Sequence, residues 1–84
     1  MAAATDYLSS YLEPLAEGLT LQQARRIVDT KPTAKLRARV EELADKANEG
    51  TLTADERAEY EYYVEVDDVI GLLKAKARQV LGDG

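Results

Sequence analysis

The residues best placed to do chemistry are carboxylates and tyrosines concentrated in one segment. From Glu59 to Asp68 the chain has five acids and three tyrosines and no basic residue. Paired carboxylates can carry out acid–base catalysis, whereas tyrosines flanked by carboxylates can form a recognition surface for a basic protein. The candidate partner-binding residues are Glu59, Tyr60, Glu61, Tyr62, Glu65, Asp67 and Asp68.

The composition argues against catalysis. The chain has no histidine and no cysteine, so it lacks the commonest general base near neutral pH and the usual zinc ligands. Its 84 residues leave room for one small domain and little chain with which to build a pocket. We therefore expect a non-enzymatic protein that needs no cofactor.

The charge is unevenly distributed along the sequence. The whole chain carries a net charge of −5, but residues 41–68 hold 11 acids against Lys46 and Arg57. The segments on either side are weakly basic. Phosphates are bound by Lys and Arg, so this acidic centre argues against direct nucleic-acid binding. It favours a basic protein partner or cations.

A second constellation lies between Asp45 and Glu56, where the sequence resembles an EF-hand calcium loop. Asp45 stands at the first position of such a loop, Gly50 at the sixth and Glu56 at the twelfth. Ala47, at the third position, cannot bind a cation. The resemblance implies a weak cation site with Asp45, Glu49, Thr51 and Glu56 as candidate ligands.

Signals that end one helix and begin the next explain the same residues without a metal ion. Gly50 stands where a helix often ends in a left-handed residue, and Thr53 with Glu56 three residues later forms a capping-box pattern. The two interpretations predict different geometries, because a calcium-loaded EF-hand splays its helices toward perpendicular whereas a capped turn joins nearly antiparallel ones. The apolar spacing favours the antiparallel hairpin.

Apolar residues recur every three or four positions throughout, which predicts an all-α fold of about four helices. Thr5 or Asp6 can cap a first helix that Pro14 should shorten or end, and Thr20 with Gln23 caps a second. The third and fourth helices should span residues 33–49 and 54–81. Their apolar seams are Leu36, Val40, Leu43 and Ala47 on the third, and Tyr63, Val66, Ile70, Leu73, Ala77 and Val80 on the fourth.

The fourth helix is longer than the third, so the hairpin leaves apolar residues near its end uncovered. We expect the two short N-terminal helices to pack on that half. The alternative cover is a second copy of the chain, with a homodimer formed through Val69, Ile70, Leu73 and Val80.

The pattern predicts a single domain, 1–84, with frayed ends at 1–4 and 82–84. No apolar run approaches the roughly 20 residues needed to cross a bilayer, and the N-terminus lacks the pattern of a secretory signal. A cytoplasmic location without membrane contact is the resulting expectation.

Residues 43–60, 63–64 and 70–78, and more loosely 19–27, resemble a group of small bacterial helical proteins often encoded beside HNH-type nucleases. The resemblance implies an antitoxin, an inhibitor or an accessory subunit. It supplies no catalytic residues, and it agrees with an acidic surface suited to a basic, nucleic-acid-binding partner.

Overall fold

The computed structural model describes residues 2–82. In this part of the chain all regular structure is helical: α1 is Ala2–Glu17, α2 is Leu21–Asp29, α3 is Ala34–Glu49 and α4 is Ala54–Leu81. The predicted all-α fold is confirmed, and α3 and α4 match the predicted bounds to within one residue. Of the ends predicted to fray, Met1, Asp83 and Gly84 lie outside the described residues.

Helix α1 begins earlier than predicted, and Pro14 does not shorten or end it. It begins at Ala2, before the predicted cap at Thr5 or Asp6, and it continues through Pro14 to Glu17. A proline removes its own N–H from the hydrogen-bond ladder and its ring crowds the carbonyl group one turn back, and Pro14 exerts both effects near the end of α1. Ala16, two residues after the proline, is 4% exposed, so burial stabilises the turn that contains it.

Local capping sets the ends of α2, α3 and α4. Thr20 and Gln23 form the predicted reciprocal capping box at the start of α2. The Thr33 hydroxyl accepts a hydrogen bond from the Leu36 N–H at the start of α3. Each cap satisfies a backbone donor that has no partner within its helix, so these helices begin where the sequence places a Thr.

The chain divides into two compact units. The first contains α1, α2 and the part of α4 from Val69 onward. Its buried residues are the small side chains of Ala16, Ala24 and Ala77, and the Lys74 ammonium donates to the Thr30 carbonyl oxygen at 2.6 Å. The predicted packing of the first two helices on the C-terminal half of α4 is therefore confirmed.

The second unit spans residues 31–68 and is the predicted αα-hairpin. Arg39 pairs with Glu59 and Lys46 pairs with Glu56, so residues later in α3 meet residues earlier in α4 and the two helices run antiparallel. Leu43 is fully buried. The seam is less enclosed than predicted, because two helices alone cover only one side of each other: Leu36 is 47% exposed and Val66 is 38% exposed.

None of the helices in residues 2–82 combines the length and the apolar character needed to cross a bilayer.

Candidate functional site: an acidic helix surface beside an apolar cleft

Glu59 is bound within the hairpin. Its two carboxylate oxygens accept hydrogen bonds from Arg39 Nε at 3.0 Å and Arg39 Nη2 at 2.9 Å, and the Tyr63 hydroxyl donates to its Oε2 at 2.7 Å. Arg39 also contacts Glu42 at 3.2 Å. A bidentate arginine–carboxylate pair is among the strongest charged hydrogen-bonded contacts in proteins. Glu59 therefore holds α3 against α4.

The hydrogen bonds around Glu59 shift the pKa values of the residues that they join. The hydrogen bond from Arg39, followed by that from Tyr63, lowers the pKa of Glu59 to about 2. The same carboxylate raises the pKa of Tyr63 and that of Arg39. A catalytic general acid needs a carboxyl pKa that is raised toward neutrality, and the pKa of Glu59 moves the other way.

The loop between Asp45 and Glu56 has the geometry of helix ends. Gly50 adopts a left-handed conformation with φ of 72°. Its N–H donates to the Ala47 carbonyl oxygen, and the Thr51 N–H donates to the Lys46 carbonyl oxygen, which together form a complete Schellman motif. At the start of α4, Thr53 and Glu56 exchange the two hydrogen bonds of a capping box.

The candidate cation ligands differ in their surroundings: Glu56 is hydrogen-bonded within the hairpin, and the other three are exposed. Both oxygens of Glu56 are engaged, Oε1 by the Thr53 N–H and Oε2 by the Lys46 ammonium at 2.6 Å, and these bonds lower the pKa of Glu56. Asp45, Glu49 and Thr51 are exposed. Among residues 2–82 no three acidic side chains are grouped so as to hold one metal ion.

Three of the predicted partner-binding residues form one line on α4. Glu61, Glu65 and Asp68 are spaced by four and three residues, which places them on a single helix face, and all three are exposed. Glu61 lies two positions from Glu59, about 200° around the helix from the face that meets α3. We call Glu61, Glu65 and Asp68 the acidic stripe. In the described part of the chain no ion pair engages any of them.

The remaining predicted residues lie on other sides of α4. Tyr62 is 62% exposed, and its ring centroid lies 6.1 Å from that of Tyr63. Tyr60 is half-buried, and Asp67 is exposed. The structure thus separates the seven predicted residues into an internal anchor, Glu59, an outward acidic stripe, and flanking positions that do not share one face.

An apolar cleft of about 220 Å³ opens next to Tyr62 within the hairpin unit. We call it the hairpin cleft, and its walls are Pro32, Leu36, Val40, Tyr62, Tyr63, Val66 and Asp67. Leu36 comes from the start of α3, and Tyr62 and Val66 come from the middle of α4. Asp67 is the one charged residue on its wall.

Two features of this site were not predicted from the sequence. The Arg39–Glu59 pair joins residues 20 positions apart, each ten residues from Glu49 at the end of α3. A search for opposite charges equidistant from the turn finds the pair. The hairpin cleft was missed because Leu36 and Val66 were assigned to a closed seam, and their exposure depends on how far the two helices cover each other.

No family model, curated protein or solved structure matches this chain. The implied relationship to proteins encoded beside nucleases therefore stays a prediction.

Proposed function

We propose that this chain is a non-enzymatic interaction module that binds a basic protein through the acidic stripe and Tyr62. The observation that carries the proposal is the division of the carboxylates on α4. Glu56 and Glu59 are neutralised by Lys46 and Arg39, whereas the acidic stripe faces outward beside an exposed tyrosine. Carboxylates in a row steer a positively charged partner and select it by sign of charge.

The partner class that fits best is a nucleic-acid-binding protein such as a nuclease. Such proteins concentrate Lys and Arg where they contact phosphates, and a line of carboxylates on a rigid helix can occupy the same groups. The resemblance seen in the sequence implies the same class. On this proposal the chain is an antitoxin, an inhibitor or an accessory subunit.

Charge reversal with a matched control tests the proposal. One variant carries Glu61→Lys, Glu65→Lys and Asp68→Lys. The control carries Glu41→Lys, Asp45→Lys and Glu49→Lys, which makes the same change of charge on an exposed line of α3 that has no tyrosine.

The chain and both variants are mixed with a purified basic nuclease encoded by a neighbouring gene, and complex formation and cleavage are measured. We expect the unaltered chain and the α3 control to bind, and the acidic-stripe variant to lose binding. Binding that survives reversal of the acidic stripe, or that is lost equally in both variants, contradicts the assignment of this surface.

A second candidate function is self-association. Val69 and Ile70 are 42% and 40% exposed, and they belong to the residues expected to form a homodimer, while Leu73 and Val80 are half-buried. Sedimentation of the chain and of Ile70→Lys separates this candidate from the first. A dimer that dissociates on that substitution supports self-association.

A further inference from the structure

The hairpin cleft has the size and chemistry of a site for side chains. Its volume of about 220 Å³ is below the range of about 300–1,000 Å³ typical of small-molecule pockets. Its walls are aliphatic and aromatic except for Asp67. Leu36 and Tyr62 both remain largely accessible although they form its walls. One or two apolar side chains match this space.

The cleft borders the acidic stripe at one of its residues, Glu65. Tyr62 lines the cleft and lies three residues before Glu65 and four before Val66, so its side chain neighbours both on the surface of α4. Asp67 lies on the cleft wall, whereas Glu61 lies about 100° around the helix from Tyr62, on the side away from the cleft. An occupant that fills the cleft therefore meets carboxylates within one turn of a helix.

The charge on the α4 side of the cleft favours one occupant. Residues 59–68, which supply Tyr62, Tyr63, Val66 and Asp67 to its walls, contain five acidic side chains and no basic one. A second copy that presented the same stretch of α4 would bring like charges into contact, which costs free energy. A basic segment gains attraction at the same place.

We infer that the hairpin cleft receives the apolar side chains of an amphipathic basic helix, whose lysines or arginines contact Asp67 and Glu65. Helices bind grooves in this way through apolar residues spaced three or four apart. The inference rests on the proposed function and specifies the partner's binding segment: a helix with one apolar face and a cationic flank.

Two synthetic peptides of about 16 residues, long enough for about 24 Å of helix, test this inference. Both contain the same leucines, lysines and alanines, but in one the leucines form a single face and in the other they are distributed around the helix. Affinity for the chain is measured by fluorescence anisotropy at low salt. We expect the amphipathic peptide to bind at least about tenfold more tightly, as burial of a leucine side chain implies.

Substitutions in the cleft localise the effect. Leu36→Gln should reduce the affinity for the amphipathic peptide by about tenfold and leave that for the scrambled peptide unchanged. Leu21→Gln, at an exposed leucine outside the cleft, is the control. Tyr62→Gln with Tyr11→Gln as its control repeats the comparison, and thermal melting verifies that each variant is folded.

The outcomes separate this inference from the proposed function. Equal affinity for the two peptides means that the chain recognises charge alone, which overturns the cleft inference and leaves the proposed function standing. Binding of neither peptide contradicts both. A free chain that sediments as a dimer and becomes a monomer with Leu36→Gln shows that a second copy fills the cleft, which also overturns the inference.

Discussion

At the scale of single residues, position on the helix decides what each carboxylate does. Glu59 and Glu61 are the same residue type two positions apart, yet Glu59 accepts three hydrogen bonds inside the hairpin and Glu61 faces outward. The sequence indicated a partner-binding cluster but could not divide it, because the division depends on which face of α4 meets α3. Arg39 fixes that face, and its pairing across 20 residues follows from the turn rather than from any local pattern.

The lowered pKa of Glu59 predicts a specific acid sensitivity. The ordinary value of 4.5 falls to about 2 in the folded chain, so the ionised carboxylate stabilises the fold above about pH 4.5 and this contribution is lost as the pH falls toward 2. Urea unfolding at a series of pH values measures it. We expect Glu59→Gln to lower the free energy of unfolding at neutral pH and to flatten its decline between about pH 4.5 and 2.

Glu61→Gln is the matched control for this measurement, since Glu61 is an exposed glutamate on the same helix. It should leave the acid-dependent decline in place. An identical pH profile for Glu59→Gln and the unaltered chain would show that the Arg39 pair contributes nothing to folding.

At the scale of elements, local end signals made the helices the most predictable part of the molecule. Thr20, Thr33 and Thr53 each cap a helix through their own hydroxyl, so the information lies within a few residues of the boundary. The prediction that Pro14 would shorten or end α1 was wrong because Pro14 was weighed by its local effect alone. Tertiary burial of Ala16 stabilises the turn that the proline disfavours.

Two glycine substitutions, one at the end of α3 and one inside α4, should change the stability of the chain in opposite directions. Gly50→Ala places a Cβ at φ of 72° and should destabilise the chain by about 1–2 kcal/mol. Gly71 lies inside α4, and a Cβ added there would meet no neighbouring atom within 4 Å, so Gly71→Ala should stabilise the chain by about 0.8–1 kcal/mol. Urea denaturation measures the change in the free energy of unfolding for each variant. Two changes of the same sign would contradict the geometry of the turn.

The loop between α3 and α4 should not respond to calcium. A cation bound by both oxygens of Glu56 has to compete with Lys46 and the Thr53 N–H, each of which already engages one of them. We therefore expect millimolar calcium to leave the melting temperature unchanged. A stabilisation by calcium that disappears in Glu56→Gln would instead support the EF-hand-like interpretation of this loop.

At the scale of the whole molecule, the negative charge is concentrated in one of the two units. The hairpin unit has five more acids than bases, which equals the net charge of the chain, −5. The order of charged residues in the sequence was enough to predict this segregation. The hairpin cleft and the outward acidic stripe required the structure, because both depend on which residues the second helix leaves uncovered.

The most direct test of the proposed interface is a nuclear magnetic resonance titration of the labelled chain with the basic amphipathic peptide. We predict that the largest backbone amide shifts fall between Tyr60 and Asp68 and around Leu36, and that they weaken as salt is added. Shifts centred on Glu41, Asp45 and Glu49 of α3, or on α1 and α2, would contradict it.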